Sequence, residues 1–330
     1  MTPEVARTRQ AMGLVLFATL PGALALLWLN GWGTLITLLL AIAAAIGSEA
    51  LMLRLRNRPL PGSLADGSSL VSATLLALAL PPYSPWWLTL LASCFAIAFG
   101  KQLYGGLGKN PFNPAMLGYA LVLVSFPQPM SQWPAAHSVD LLAGLQAIFV
   151  PGTLADAWVQ ATALDVLRVD RSLTLDELFA SHPAFGRVGG AELVNLAFLA
   201  GGLFLLYKRL YSWHAPVGLL GGLFVMSLVF WNGAGSDAHG SPLFHLLTGA
   251  SMLGAFFIVT EPVSGAASAR GRLLFGLGVG ALTYAIRTWG GYPDGLAFAV
   301  LLMNLAVPAL DRHGLARERR AAENNLEAQP

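Results

Sequence analysis

Residues 33–58 read GTLITLLLAIAAAIGSEALMLRLRNR, an apolar run of 21 residues with one charge (Glu49) followed at once by Arg54, Arg56 and Arg58. The hydrocarbon core of a bilayer takes about 20 apolar residues of straight helix, so the run predicts a spanning helix with a basic anchor at its end. Basic residues stay on the cytoplasmic side of a membrane, which places that end inside. The same pattern recurs in both directions along the chain. Arg7 and Arg9 precede the first apolar segment; Lys101 and Lys109, then Lys208 and Arg209, then Arg270 and Arg272 fall in later breaks. With Arg312, Arg317, Arg319 and Arg320 at the end, these make 15 of the 19 basic residues, all in alternate breaks. Arg168, Arg171, Arg187 and Arg287 lie in the intervening ones.

This alternation predicts an all-α polytopic membrane protein of about ten transmembrane helices, with both termini cytoplasmic. The rough spans are 12–29, 33–53, 68–80, 86–100, 115–126, 192–207, 217–230, 243–260, 272–286 and 296–310. Two of them, 68–80 (SSLVSATLLALAL) and 249–260 (GASMLGAFFIVT) within the eighth, are rich in small residues and end near Pro81 and Pro262. They are the third helix of the first five and the third helix of the second five. Two successive five-helix units must be inverted relative to each other, and short or broken helices in matching positions point to a site near the membrane midplane. Small-residue packing helices would show the same composition. The chain divides accordingly into a first five-helix repeat (1–126), an extracytoplasmic loop (127–190), a second repeat (191–310) and a basic cytoplasmic tail (311–330).

With 55% hydrophobic and 11% charged residues, the chain has too many apolar segments to be a soluble domain. Its net charge of +2 and membrane-flanking cations exclude a nucleic-acid face. The first apolar segment runs into the next without an A-x-A-type site, which predicts a retained anchor. Cys94 is the single cysteine, so no internal disulfide or iron–sulfur cluster can be built in this chain. The histidines lack zinc-type spacing; His137, His182, His239 and His245 read as hydrogen-bonding residues, and no metal site is expected.

The 127–190 loop carries six acids against three arginines. Thr174-Leu-Asp-Glu177 reads as a capping box opening a short helix with Phe179 on its apolar face. Leu141, Leu142, Leu145, Ile148, Phe149, Leu164 and Leu167 predict that the loop folds. On the other side, residues 101–116 (KQLYGGLGKNPFNPAM) hold three glycines for unusual backbone angles, and Asn113-Pro114 suits a helix start. Gly108-Lys109 lacks the following Ser or Thr of a phosphate loop. Glycines at 218/222 and 276/280 fit close helix packing. Glu49, one turn before Arg54, reads as a membrane-edge ion pair, with a place in an ion path as the alternative. Asp66 and Glu261 flank the two short helices on one side, so either could line an ion entrance. Lys101, Asn110 and Asn113 read as shaping the loop between helices.

Asp66-Gly-Ser, KQLYGGLGKNPFNPAMLGY (101–119), GASMLGAFFIVTEPV (249–263) and RTWGGYPDGLAFAVLLMN (287–304) together resemble the D subunit of the Rnf (Rsx) ion-translocating electron-transfer complexes. The related B subunit of the sodium-pumping NADH:quinone reductase is similar. That resemblance implies a bacterial inner-membrane protein that carries electrons on flavin mononucleotide (FMN) and couples redox to ion transport. It implies partner subunits bearing iron–sulfur and flavin centres, and a flavin transferase for maturation. In this family FMN is attached by a phosphodiester to a threonine hydroxyl in an extracytoplasmic, here periplasmic, loop. The family pattern is approximately Ser/Thr-Gly-Ala-Thr, a small residue or proline, Leu and Asp. The matching stretch runs from Asp156 to Asp165: Ala161, Thr162, Leu164 and Asp165 agree, while Val159 and Gln160 stand where the stricter pattern has Ser/Thr and Gly. The resemblance therefore implies Thr162 as the phosphoryl threonine, with Asp165 assisting recognition or transfer. No residue of this chain is expected to be catalytic by itself. A small-solute channel or secondary transporter with inverted repeats, or a scaffold protein, are the other classes the helix pattern suits.

Overall fold

The computed structural model describes residues 3–327 except 61–63, 137–138, 151, 153–157, 171, 186–189, 236–238 and 293, and their side chains except at 3, 4, 183 and 313–327. His137, Asp156, Arg171 and Arg187 therefore lie outside the described residues, as do the side chains of Arg317, Arg319 and Arg320.

Helices form at each apolar stretch of the sequence. Pro3–Asn30 (α1) and Trp32–Leu55 (α2) are each long and apolar enough to cross a bilayer. Shorter apolar helices are Ser68–Ala79 (α3), Pro114–Ser125 (α5), Ala191–Tyr207 (α10) and His214–Val229 (α11). Helix α4, Trp86–Ile97, continues into a wide π-type turn at Ala98–Gln102. Ala269–Trp289 (α14) and Leu296–Glu327 (α15) complete the set, and the latter carries the end of the chain onward as helix past residue 310.

Helix α3 is 12 residues long, about 18 Å at 1.5 Å per residue, well short of a hydrocarbon core. Gly67 in left-handed conformation (φ 77°) opens it, and Leu80 is extended because Pro81 follows. The stretch at 242–258 is broken outright. Pro242–Leu247 (α12) stops, Gly249 turns the chain at φ 60°, and helix resumes at Ser251–Leu253 (α13) before a π-type turn at Gly254–Ile258. Both segments singled out for small residues are thus discontinuous or short, as a site-building helix requires.

The core joins Leu76, Leu88, Met116, Phe198, Leu219, Phe257 and Val279 from seven of these segments. Close approach is set by glycine: a Cβ on Gly222 would meet the Leu277 carbonyl, and one on Gly280 the Leu219 carbonyl, so α11 and α14 touch backbone to backbone. Apolar side chains also cover the outside. Leu24, Leu39, Leu51, Leu203, Val225 and Leu305 are all more than half exposed, the surface of a protein whose solvent is lipid.

Between Ser125 and Ala191 the chain folds over one end of the helices. Trp133–Pro134 (β1) pairs antiparallel with Val159–Gln160 (β2), and between them lies Leu141–Phe149 (α7), capped by Asp140. A single turn at Pro127–Met130 (α6) precedes them, and Ala163–Val169 (α8) and Leu175–Ser181 (α9) follow. Leu164, Leu167, Leu175, Leu178 and Phe185 bury against Phe244 of α12, so the segment is folded and fastened to the broken helix. Phe179 joins through ring contacts to Phe185 and Phe244. Ile148 is buried beside Tyr83 and Val139. Leu141, Leu142, Leu145 and Phe149, whose apolarity helped predict a folded loop, are themselves exposed. Helix α7 has one packed face, and these four residues are on the other.

Candidate functional site

Thr162 is the N-cap of α8 and forms a capping box with Asp165. Its hydroxyl donates to Asp165 Oδ2 at 2.6 Å, its backbone N–H donates to the same oxygen at 3.1 Å, and it accepts from the Asp165 N–H at 3.2 Å. The Thr-x-x-Asp spacing is the same helix-start signature as Thr174-x-x-Glu177, whose box is also formed. Val159 and Gln160, the two departures from the stricter family pattern, are the residues of β2. A β-branched residue suits that ladder and a glycine would weaken it. Thr162 is half-buried and its hydroxyl lies at the start of the helix. A cavity of about 20 Å³ lies behind α8, lined by Leu164, Leu167, Arg168, His245 and Arg287 among others. It has room for a water and not for an isoalloxazine ring, so a group carried on Thr162 would lie outside it.

The broken helix beside α8 is held by three polar side chains. Arg287, buried at the end of α14, donates from Nη1 to His245 O (2.9 Å) and from Nη2 to Thr248 O (3.4 Å) and Ser251 Oγ (3.1 Å). It pairs with Asp294 at 3.2 Å, and Asp294 also accepts from the Ala250 N–H. Asn195 donates to Leu247 O and Gly249 O and accepts from the Met252 N–H. The backbone groups freed by the break are in this way satisfied. His245 is buried, and its Nε2 lies 2.7 Å from the His239 carbonyl oxygen. Among the described residues no three His, Cys, Asp or Glu side chains gather as a metal site.

The remaining candidate acids are Glu49, Asp66 and Glu261. Glu49 is buried at 1% exposure, and its partner is Lys101, not Arg54 one turn on. Lys101 Nζ sits 2.5 Å from Glu49 Oε1, 2.6 Å from Ser68 Oγ and 3.1 Å from Ser69 Oγ. Gln102 Nε2 donates to Glu49 Oε1 at 2.7 Å and Ser69 donates to Oε2. Lys101 is therefore a buried ion-pair member and not a loop-shaping residue. The π-type turn at 98–102 rotates it inward, a feature no sequence period signals. Asp66 accepts from the Ser68 N–H and hydroxyl (2.7 and 2.6 Å), so Glu49 and Asp66 meet around the first turn of α3. A cavity of about 320 Å³ opens onto this cluster, lined by Glu49, Asp66, Lys101, Gln102 and Arg58 among others.

Glu261 stands apart from that pair. It is held by Asn110 (2.9 Å) and by Ser264. Burial pushes its carboxyl above its ordinary value, against the opposing pull of the hydrogen bonds from Ser264 and Asn110. Asn113 caps α5 through the Met116 N–H and donates its own N–H to Asn304, while Asn110 Nδ2 also reaches Phe112 O, so the two asparagines do shape this loop. Gly105, Gly106 and Gly108 all take positive φ, the unusual angles that this glycine-rich stretch predicts.

These features define a helical membrane protein with a broken helix and a folded segment packed on it. The chain belongs to the NQR2, RnfD, RnfE family, whose pattern matches residues 2–319. It is 67% identical over 307 residues to a protein of Ectopseudomonas mendocina (strain ymp) described as the D subunit of an ion-translocating oxidoreductase complex, covering 92% of this chain and 90% of that protein. Proteins of the same description from Pseudomonas aeruginosa (strain LESB58) and Cellvibrio japonicus (strain Ueda107) are 63% and 48% identical, over 98% and 96% of this chain and 95% and 94% of theirs.

Proposed function

We propose that this chain is the membrane subunit of an ion-translocating oxidoreductase complex, carrying electrons on FMN bound covalently to Thr162 and coupling their passage to ion movement. The observation that carries this reading is near-full-length identity to proteins described as the D subunit of such complexes. Thr162 supports the finer part, because its hydroxyl is half-buried at the head of a short helix, already hydrogen-bonded to the carboxylate of Asp165. That carboxylate orients the hydroxyl. The Asp165 N–H can still donate to the ester oxygen afterwards, so the cap survives modification. A bound flavin supplies electron carriage; the chain fixes its place.

On this reading about ten helices cross a bacterial inner membrane as two inverted halves, with termini cytoplasmic and residues 127–190 periplasmic. Partner subunits hold the iron–sulfur and other flavin centres, and a flavin transferase matures Thr162. Glu49, Asp66 and Glu261 line the cytoplasmic end of the ion path.

In the fully assembled complex, Thr162→Ala removes the flavin from this chain, and both electron transfer and coupled ion uptake into vesicles fall to background. Unchanged ion pumping in the assembled variant would sink the flavin's role. A small-solute transporter would instead move its solute with this chain alone.

A further inference from the structure

The two halves of the chain place a buried cation at equivalent positions. Lys101 lies at the end of the fourth helix of the first five and Arg287 at the end of the fourth helix of the second five, and each is followed by a Gly-Gly pair (105–106, 290–291). Each is nearly sealed, with 2% and 4% exposure. Each pairs with one carboxylate, Glu49 or Asp294, and each reaches oxygens of the third helical segment of its own half. Lys101 takes the Ser68 and Ser69 hydroxyls, and Arg287 takes His245 O, Thr248 O and the Ser251 hydroxyl. A carboxylate with hydroxyl or carbonyl oxygens is a donor set that can bind a dehydrated monovalent cation in membranes. In both halves the chain's own cation fills that set.

We propose that the Glu49–Ser68–Ser69 cage is a monovalent-cation site whose resting occupant is the Lys101 ammonium, which a transported cation displaces. This rests on the ion-translocating reading above. The exchange balances in charge: one cation leaves the carboxylate as another arrives. There is room for the move, because the cavity of about 320 Å³ is lined by Lys101, Gln102, Glu49 and Asp66 and gives the ammonium somewhere to swing. Asp66 holds the Ser68 hydroxyl in place, so the cage keeps its shape when Lys101 departs. Lys101 thus acts as a tethered plug, and no bare carboxylate is left buried at any stage.

The purified wild-type complex is exchanged into NaCl, KCl or choline chloride of equal ionic strength and treated with an amine-acylating reagent. Modification of Lys101 is read by peptide mass spectrometry against exposed Lys208. Lys101 acylation is expected to rise several-fold in NaCl or KCl over choline chloride, with Lys208 constant; equal labelling in all three salts would overturn the proposal. A second measurement uses Lys101→Met, which leaves the carboxylate without its cation. Its unfolding midpoint should rise by several degrees when sodium or potassium replaces choline, and the added Glu49→Gln change should abolish that response. A Lys101→Met complex indifferent to the salt also overturns it, and if that variant does not assemble the wild-type labelling decides alone. Covalent flavin is read on the same samples. Its absence beside salt-dependent labelling would count against the flavin and not the cage, and the reverse result would count against the cage alone.

Discussion

At the scale of single residues, the acids read from sequence sort by what surrounds them. Asp165 serves first as half of a capping box with Thr162, at hydrogen-bond distances of 2.6 to 3.2 Å. Glu49 is neutralised by a cation 52 residues away, a distance no local pattern encodes; the helical spacing to Arg54 pointed to a neighbour that is in fact exposed. Glu261 accepts hydrogen bonds from two neutral side chains, Asn110 and Ser264, so burial dominates and raises its pKa from the ordinary 4.5. The folded chain then holds that proton to higher pH than the unfolded chain does. The associated stability is fully present below the unfolded value and is lost as pH rises through the raised folded one. Glu261→Gln mimics the protonated form. The unfolding midpoint of the wild-type complex should therefore fall relative to that variant as pH increases through this window, and parallel curves would refute the assignment.

Among the elements, the helices were legible because apolar runs recur between charged or turn-forming breaks, and several boundaries carry a cap, proline or glycine. The breaks within them were only half legible. Composition marked 249–260, but what closes the break is Arg287, Asn195 and Asp294, brought from α14, α10 and the turn before α15. Gly249 sits at their centre with φ 60°, and a Cβ there would lie 2.5 Å from Asp294 Oδ2 and 2.7 Å from Arg287 Nη2. Gly249→Ala must combine the backbone cost of about 1–2 kcal/mol for a left-handed residue with displacement of that ion pair. A lowered unfolding midpoint of the complex is expected, and a variant as stable as wild type would show that the clamp is not what holds the break. Helix α7 shows the opposite limit. Its apolar residues revealed that the loop folds, while the choice of which face packs on Tyr83 and which stays open belongs to tertiary structure.

For the molecule as a whole, the charge alternation, the exposed apolar exterior and the family membership agree on a membrane protein. The cap built from the described residues between 127 and 190 joins the candidate flavin threonine to the helices, since the helix that Thr162 opens packs on the broken helix through Leu164, Leu167 and Phe244. The candidacy of Thr162 came only from the resemblance to a known family, whereas the helical class could be read from sequence because apolar runs are local. The pairing of Lys101 with Glu49 and the clamp on the broken helix could not, because they join residues distant in the chain. The central claim is that Thr162 carries flavin, and the most direct measurement is ultraviolet fluorescence of the denatured protein in a gel. The chain is expressed with an active flavin transferase, wild type beside Thr162→Ala. A fluorescent wild-type band that the substitution abolishes is predicted; a dark wild-type band beside a fluorescent control protein, or a variant band as bright as wild type, would contradict the claim.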